Sequence, residues 1–245
     1  MKKIILPKRS EMLAEFFGIC FGDGCLSVNE SNHDYSFYVT GHLLDDKLYI
    51  ENYLFEMVRN LFKIDPRLRK QKGNTLILYA RSKKLIQFLA SNGMQIGKKN
   101  NLVIPDWIKQ SPNFMKAFLR GFIDTDGSLT FKKRHTEVYY YPTISISSMN
   151  QKLILDIHTF LRENDFQLGK VVKTQDSIKG LDKTYTHFRV FLYGKENLEK
   201  WIKSIGFSNM KHTSKYILWK KHGFSPAYSL TRDRIKIIKG PLSEI

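Results

Sequence analysis

The chain has 245 residues, of which 42% are hydrophobic, which excludes a disordered polypeptide and provides one sizeable core or two small ones. Forty Lys and Arg residues outnumber 23 Asp and Glu residues, and the net charge of +17 favours a polyanionic partner, most simply nucleic acid. Two cysteines without a zinc-ligand pattern, and no apolar run of membrane-spanning length, predict an intracellular protein with no membrane partner.

The first predicted element is an apolar helix that begins after Ser10 and ends in the sequence FFGICFGDG (16–24). Ser10 is a favourable N-cap, and the acidic Glu11 suits the positive end of the helix dipole. Gly18 and Gly22 lie four residues apart on one face of this helix. Because small residues let another helix approach closely, we expect the helix to pack against a second one.

Strands and a further helix follow in the first half of the chain. The segments SFYVT (36–40), PRLRKQK (66–72) and TLILYA (75–80) have strand character. The segment KLYIENYLFEMVRNLF (47–62) has helical periodicity, so we expect it to cover the apolar face of the sheet.

The same pattern returns about a hundred residues later, which is the mark of an internal repeat. EFFGICFGDGCLSV (15–28) matches FLRGFIDTDGSLTF (118–131), residues 40–58 match 145–163, and residues 78–100 match 191–213. The second motif helix begins at Ser111 with Pro112 at its first position. About ten extra residues of the second copy are placed in the polar loop 173–186, with turn chemistry at Lys179, Gly180 and Asp182.

Each copy therefore predicts the order helix, two strands, helix, two strands, helix. The predicted fold is α+β, with two pseudo-symmetric αββαββα repeats whose motif helices pack together at the interface. We divide the chain into a first repeat at 1–105, a second repeat at 106–222 and a loose basic tail at 223–245.

The sheet faces that the helices leave free collect basic and polar side chains. Arg, Lys and Gln on a two-stranded ribbon are suited to reading base edges in the major groove. We therefore predict an interface with double-stranded DNA formed by the following side chains: Arg67, Arg69, Gln71, Lys132, Arg134, Thr143, Ser145, Ser147, Lys173, Gln175, His187 and Arg189.

The repeated acids Asp23 and Asp126 end the two motif helices, where a carboxylate opposes the helix dipole. If the helices pack together, the two carboxylates also repel each other, and a cation between them would relieve this cost. Hard ions such as Mg²⁺ prefer carboxylates together with phosphate oxygens and water. The pair therefore predicts metal-dependent phosphodiester hydrolysis.

Basic groups near such a centre would balance the charge that develops on the phosphate. The repeat pairs Lys98 with Lys211, and this shared position nominates both lysines as catalytic residues. Lys99 pairs with His212 and is a weaker candidate.

FFGICFGDG and LRGFIDTDG resemble the two copies of the LAGLIDADG motif, and the chain resembles a monomeric LAGLIDADG homing endonuclease. The resemblance implies a DNA-binding saddle formed by the two sheets, one metal-binding acid per motif, and a monomer without an obligate protein partner. It adds the backbone carbonyls of Gly22 and Thr125 as metal ligands and places Lys98 and Lys211 near the scissile phosphates. The implied cofactor is Mg²⁺, with Mn²⁺ as a substitute, and Asp124 has no catalytic role.

Three alternatives remain beside site-specific double-strand cleavage of a long asymmetric target. An intron RNA maturase is the first, and a non-cleaving DNA-binding protein of the same fold is the second, although the intact acid pair favours cleavage. A protein-splicing element is disfavoured because the sequence neither begins with Cys or Ser nor ends in a His-Asn pair.

Overall fold

The computed structural model describes residues 4–177 and 184–240, and it contains two similar α+β domains in sequence. The first domain contains α1 (Glu11–Gly22), β1 (Gly24–Asn29), β2 (Asp34–His42), a π-helical stretch (Tyr49–Leu54) continued by α2 (Phe55–Phe62), β3 (Arg67–Gln71), β4 (Thr75–Arg81) and α3 (Lys83–Ser91). After a short α4 (Asp106–Lys109), the second contains α5 (Pro112–Asp126), β5 (Gly127–Lys132), β6 (Tyr141–Ser148), α6 (Gln151–Glu163), β7 (Val172–Ser177), β8 (Thr184–Tyr193) and α7 (Gly194–Ser204). Two further helices end the described chain, α8 (Met210–His222) and α9 (Thr231–Lys239).

Both motif helices start where the sequence predicts. Ser10 accepts a hydrogen bond from the backbone N–H of Leu13 at 3.2 Å, and Ser111 accepts one from that of Phe114 at 3.4 Å. Pro112 occupies the first turn of α5, where no intrahelical N–H partner is lost. Side-chain caps therefore define the beginnings of α1 and α5.

The two motif helices pack backbone to backbone through their glycines. A Cβ atom on Gly18 would overlap the carbonyl oxygen of Phe118, and one on Gly121 would overlap the carbonyl oxygen of Glu15. Aromatic side chains close the interface, with the rings of Phe21 and Phe118 in edge contact at 5.2 Å. The predicted helix pair is confirmed, and a side chain at either glycine would separate it.

Each domain has one four-stranded antiparallel sheet. The strand order is β1-β2-β4-β3 in the first and β5-β6-β8-β7 in the second, so the two sheets have the same topology. One face of each sheet packs against helices, as the complete burial of Phe37 and Leu78 in the first and of Ile146 and Val190 in the second shows. The predicted fold of two αββαββα units is confirmed. Within the described residues, no helix is both long and apolar enough to cross a membrane.

The C-terminal segment differs from the predicted loose tail. Residues 231–239 form α9, which packs on α8, and Arg234 is 1% exposed. Its guanidinium donates to Ser214 Oγ at 2.8 Å and to the carbonyl oxygen of Ser229. The sequence suggested a tail because α9 is rich in basic residues. The burial of Arg234 depends on polar partners outside α9, so the sequence of the helix itself shows no pattern that predicts it.

The predicted loop 173–186 also differs. Most of it belongs to β7 and β8, which lengthen the second sheet, and the proposed turn at Lys179, Gly180 and Asp182 lies outside the described residues.

Candidate active site and nucleic-acid interface

Asp23 and Asp126 lie at the same end of the α1–α5 pair. Asp23 is the C-cap of α1, and its backbone N–H donates to the carbonyl oxygen of Ile19 at 3.1 Å. Asp126 is the last residue of α5. A Cβ atom on Gly22 would lie 3.3 Å from Asp126 Cγ, so the carboxyl group of Asp126 lies against the residue that precedes Asp23. The helix packing therefore brings the two repeated acids together.

This position makes both acids harder to ionise. Desolvation is the larger cause for Asp23, followed by repulsion from Asp126, and together they raise the pKa of Asp23 to about 6. Desolvation also raises the pKa of Asp126. Part of this side chain reaches solvent, but protein atoms surround the rest of it. A cation bound between the two groups would reverse both effects.

Lys99 supplies positive charge at the end of α1. Its ammonium group donates to the carbonyl oxygens of Phe21, at 3.0 Å, and of Gly22. These are carbonyls that a helix C-terminus leaves without intrahelical partners. The charge of Lys99 also lowers the pKa of Asp23 and of Asp126, so this lysine lies close to both acids.

Lys211 supplies positive charge from the second half of the chain. It lies in the first turn of α8, and its Nζ atom is 3.2 Å from Asp46 Oδ1. Like Lys99, it lowers the pKa of Asp23 and of Asp126. Two lysines, one after each repeated sheet, therefore flank the two carboxylates.

The structure places Lys99 against the end of α1, whereas the repeat alignment nominates Lys98. Lys98 is exposed, whereas its neighbour Lys99 makes the contacts with α1. The partner of Lys99 in the alignment, His212, is 1% exposed, and its Nδ1 faces the backbone N–H of Leu129 at 3.4 Å. Burial lowers the pKa of His212 well below its usual range, so its ring does not supply the positive charge that Lys99 supplies in the first half.

The carbonyl ligands implied by the resemblance have different surroundings. The Gly22 carbonyl already accepts a hydrogen bond from Lys99. The Thr125 hydroxyl donates within α5 to the carbonyl oxygens of Gly121 and Phe122, at 3.1 and 3.0 Å. Lys99 therefore occupies the Gly22 carbonyl, whereas these contacts do not involve the Thr125 carbonyl.

The donor set of this site fits a hard divalent ion. Its donors are two carboxylates, and within the described residues no group of three or more His, Cys, Asp or Glu side chains lies together. Mg²⁺ is commonly held by one or two carboxylates, with substrate phosphates and water as its other ligands. The raised pKa of Asp23 is the electrostatic cost that such an ion would remove.

Beneath the carboxylates lies a buried polar network that sequence analysis did not predict. Glu15, which is 2% exposed, accepts from Arg120 Nη2 at 2.6 Å and from Tyr53 and Ser208 hydroxyls at 2.7 and 2.9 Å. Arg120 and Glu15 are on opposite motif helices, so this ion pair joins the domains. The apolar sequence around Glu15 gave no signal that its partner lies 105 residues away.

The predicted nucleic-acid surface of the first sheet lies on one face. In the antiparallel register Arg67 pairs with Tyr79, Arg69 with Ile77 and Gln71 with Thr75, so the three predicted side chains share the face opposite Leu78. All three are exposed, and the Arg69 guanidinium lies 5.9 Å from the centre of the Tyr79 ring. This face is available to a ligand.

The second sheet separates the predicted residues. Ser145, Ser147 and Arg189 share the face opposite the core, as do Lys132, His187 and the buried Thr143. Lys173 and Gln175 point to the other face, because they pair with Phe188 and Thr186. The sequence of β7 does not show which of its two faces is open, since basic and polar residues occur on both.

Two other residues of the second sheet have local partners. Arg134 lies in the loop after β5, with its guanidinium 4.5 Å from the centre of the Tyr141 ring. Arg189 and His187 both face Asp176, whose Oδ2 lies 2.8 Å from Arg189 Nη2. The open face therefore carries a carboxylate that offsets part of its positive charge.

Comparison with known proteins first identifies a domain. The family model of the LAGLIDADG-like domain matches residues 113–206. The chain is 27% identical over 212 residues to the replication factor C small subunit of Methanocaldococcus jannaschii, a match that covers 85% of this chain and 10% of that protein. It is 31% identical over 165 residues to an uncharacterized protein of the same organism, covering 66% of this chain and 57% of that one. The chain thus spans a tenth and somewhat over half of these relatives.

Solved structures share the fold across both domains. Variants of the homing endonuclease I-DmoI match with a TM-score of 0.52 at 13% identity, over 80% of this chain and 95% of theirs. The meganuclease I-SmaMI bound to uncleavable DNA matches with a TM-score of 0.51 at 13% identity, over 87% and 91%. I-DmoI in complex with DNA and Mn matches with a TM-score of 0.50 at 14% identity, over 81% and 98%.

Proposed function

Because residues 113–206 form a LAGLIDADG-like domain and the chain has the two-domain fold of homing endonucleases, we propose that it is a site-specific DNA endonuclease that makes a double-strand break. The observation that carries the proposal is the meeting of Asp23 and Asp126 at the end of the paired helices, with a lysine on either side. The substrate is a double-stranded DNA target, bound by the protein as a monomer.

The two acids would hold Mg²⁺, or Mn²⁺ in its place, through their carboxylate oxygens. Held there with phosphate oxygens and water, such an ion would supply polarisation of the scissile phosphate and easier ionisation of the attacking water. The protein's own contribution is to fix both carboxylates on rigid helix ends, so that they need no rearrangement when the substrate arrives.

Lys99 and Lys211 would each face one scissile phosphate. An ammonium group stabilises the negative charge that accumulates on the phosphate oxygens during hydrolysis. The pseudo-symmetry of the two domains matches the symmetry of two antiparallel DNA strands, so each half of the site is suited to one strand. We therefore assign the basic role in the first half to Lys99, with Lys98 on the exposed surface.

The open faces of the two sheets would bind the flanking DNA. Their basic and polar side chains would contact phosphates and base edges, with Arg67, Arg69 and Gln71 on the open face of the first sheet and Lys132 and Arg189 on that of the second. Lys173 and Gln175 lie on the other face and are left out of this interface.

The proposal is tested by neutralising each acid. Asp23→Asn and Asp126→Asn should each lower the rate of double-strand cleavage by at least about 1000-fold, because the transition state loses a carboxylate that supports it. The affinity for the same duplex, measured by gel shift in Ca²⁺, should be retained. Asp165→Asn is the matched control, because Asp165 is an exposed carboxylate in the loop after α6. Loss of binding together with cleavage would assign the acids a structural role instead.

The lysines are tested in the same assay. Lys99→Met and Lys211→Met should slow cleavage by about 100-fold, in line with the loss of one charged group that acts on the transition state. Lys98→Met should cut like the wild type, because Lys98 is exposed. A slow Lys98 variant beside a normal Lys99 variant would reverse this assignment.

A further inference from the structure

The two lysines that flank the carboxylates are held by different kinds of partner. The ammonium group of Lys99 is held by main-chain carbonyls of Phe21 and Gly22 at the end of α1. The ammonium group of Lys211 is held by a side chain, the carboxylate of Asp46 at 3.2 Å. A substitution can therefore remove the support of Lys211, whereas no substitution removes a main-chain carbonyl.

The backbone carbonyls of the two lysines, by contrast, are held alike. The Lys99 carbonyl accepts from Asn150 Nδ2 at 3.1 Å, and the Lys211 carbonyl accepts from Arg234 Nη2 at 3.1 Å. Both backbones are therefore fixed, and the difference between the two halves is confined to the ammonium groups.

Asp46 is well placed to act as a fixed support. It is 7% exposed, and its Oδ2 accepts from the backbone N–H of His42 at 2.9 Å, which anchors it to the end of β2. Its Oδ1 accepts from Asn209 Nδ2 at 2.8 Å in addition to facing Lys211. Both oxygens have partners, so the carboxylate cannot rotate away without losing hydrogen bonds.

The contact also crosses between the domains. Asp46 follows β2 of the first domain, whereas Asn209 and Lys211 belong to the start of α8, after the second sheet. The adjacent Asp45 reinforces this crossing, since its Oδ1 accepts from the backbone N–H and the hydroxyl of Thr231 at 2.8 and 2.9 Å. The second lysine of the site thus depends on the first domain for its position.

We propose that Asp46 is a positioning residue that fixes Lys211 across the domain interface, and that its loss converts the enzyme into one that nicks mainly one DNA strand. This inference rests on the proposed endonuclease function. Lys211 serves the half of the site that faces one strand, while Lys99 and its main-chain partners serve the other. The hydrogen bonds and the ion pair of Asp46 go to His42, Asn209 and Lys211, and its charge also raises the pKa of Asp23. An unsupported ammonium group is misplaced in one half only, and such a misplacement costs up to about 100-fold in rate.

The test is Asp46→Asn, which keeps the size of the side chain and removes its charge. The substrate is a supercoiled plasmid that carries the target site, and the wild type should convert it to linear product. Asp46→Asn should accumulate nicked circles, because it cuts one of the two strands roughly 10- to 100-fold more slowly. Duplexes labelled on either strand identify which strand is slow. Lys211→Met should slow the same strand and Lys99→Met the opposite one, and Asp165→Asn should cut both strands like the wild type.

The double variant Asp46→Asn/Lys211→Met separates positioning from a general structural effect. If Asp46 acts through Lys211, the double variant should cut the slow strand no more slowly than Lys211→Met alone. Equal slowing of the cleavage of both strands would overturn the proposal. So would a double variant whose rate reduction equals the product of the reductions in the two single variants.

A measurement without cleavage keeps this proposal distinct from the proposed function. The loss of Tm in the double variant should be smaller than the sum of the losses in the two single variants, because each single change leaves one buried partner unpaired. Additive losses would show that the pair does not form. If the wild type cuts no DNA, the endonuclease function fails and Asp46 has no reaction to position for, while the Tm cycle still decides whether Asp46 holds Lys211.

Discussion

Asp124 lies two residues before a metal-binding candidate, yet it is completely buried beneath the site. Its Oδ2 accepts from the backbone N–H of Ser208 at 2.8 Å, and its Oδ1 has no hydrogen-bond partner among the described residues. Desolvation is the main cause that raises the pKa of Asp124 to about 8. At neutral pH this group is therefore largely an uncharged acid within the core.

The raised pKa of Asp124 determines how the stability of the protein changes with pH. A carboxyl group whose pKa is higher in the folded state than its ordinary 3.8 takes up a proton on folding, so its cost to stability is absent below pH 4 and grows as the pH rises to about 8. Asp124→Asn does not titrate. The free energy of unfolding of the variant minus that of the wild type should therefore rise by roughly 1 kcal/mol per pH unit between pH 4 and 8, as measured by urea unfolding. A difference that stays constant with pH would contradict the assignment.

At the scale of single residues, sequence reasoning predicted the acids and missed their surroundings. Asp23 and Asp126 were predictable because a repeated acid at a helix end carries an electrostatic cost in any fold. Which of Lys98 and Lys99 contacts α1 was not predictable, because adjacent residues differ only in the direction that the backbone gives their side chains. Asp46 had no signal, since its partner is 165 residues away in the chain.

At the scale of elements, the site depends on how closely α1 and α5 approach. Gly18→Ala would place a Cβ atom on the carbonyl oxygen of Phe118, which is main chain and cannot rotate away. We expect the free energy of unfolding to fall by about 3 kcal/mol or more, as in overpacked cores. Gly169→Ala is the control, since the space around its Cβ position is open, and it should change stability by less than about 0.5 kcal/mol. Equal effects of the two changes in urea unfolding would argue against close helix packing.

The last helix gives a second prediction at this scale. Arg234 is buried with hydroxyl and carbonyl partners from α8, from Ser229 and from Thr231, whereas Arg232 on the same helix is exposed. Arg234→Met leaves these partners unpaired and should lower the free energy of unfolding by roughly 3 kcal/mol. Arg232→Met should leave it within about 0.5 kcal/mol of the wild type. A detached α9 would make the two variants indistinguishable.

Elements with a periodic apolar pattern were predictable, and those whose place depends on distant partners were not. The caps at Ser10 and Ser111 and the strand character of TLILYA (75–80) are local properties of the sequence. The docking of α9 depends on one buried arginine, and the open face of β7 depends on the register with Phe188, which moves Lys173 away from the predicted interface. A shift of one residue along a strand reverses its faces, so composition alone could not decide this.

At the scale of the whole molecule, duplication determines both the fold and the site. Two copies of one unit produce two sheets of the same topology, and the helices that join them place one acid from each copy at the shared end. This level was predictable because a repeat constrains many residues at once. The contacts of Asp46 and Asn150 start from adjacent positions of the repeat alignment, but one holds an ammonium group and the other a main-chain carbonyl, so the two halves are unequal.

The most direct test of the central claim is cleavage of a long randomised duplex library by the purified protein with Mg²⁺. EDTA and the Asp23→Asn/Asp126→Asn double variant serve as controls. Cleavage at a defined site by the wild type with Mg²⁺, and in neither control, is the result that the paired carboxylates predict. Cleavage that persists in EDTA or in the double variant, or no cleavage by a protein that binds the same DNA tightly, would contradict the account.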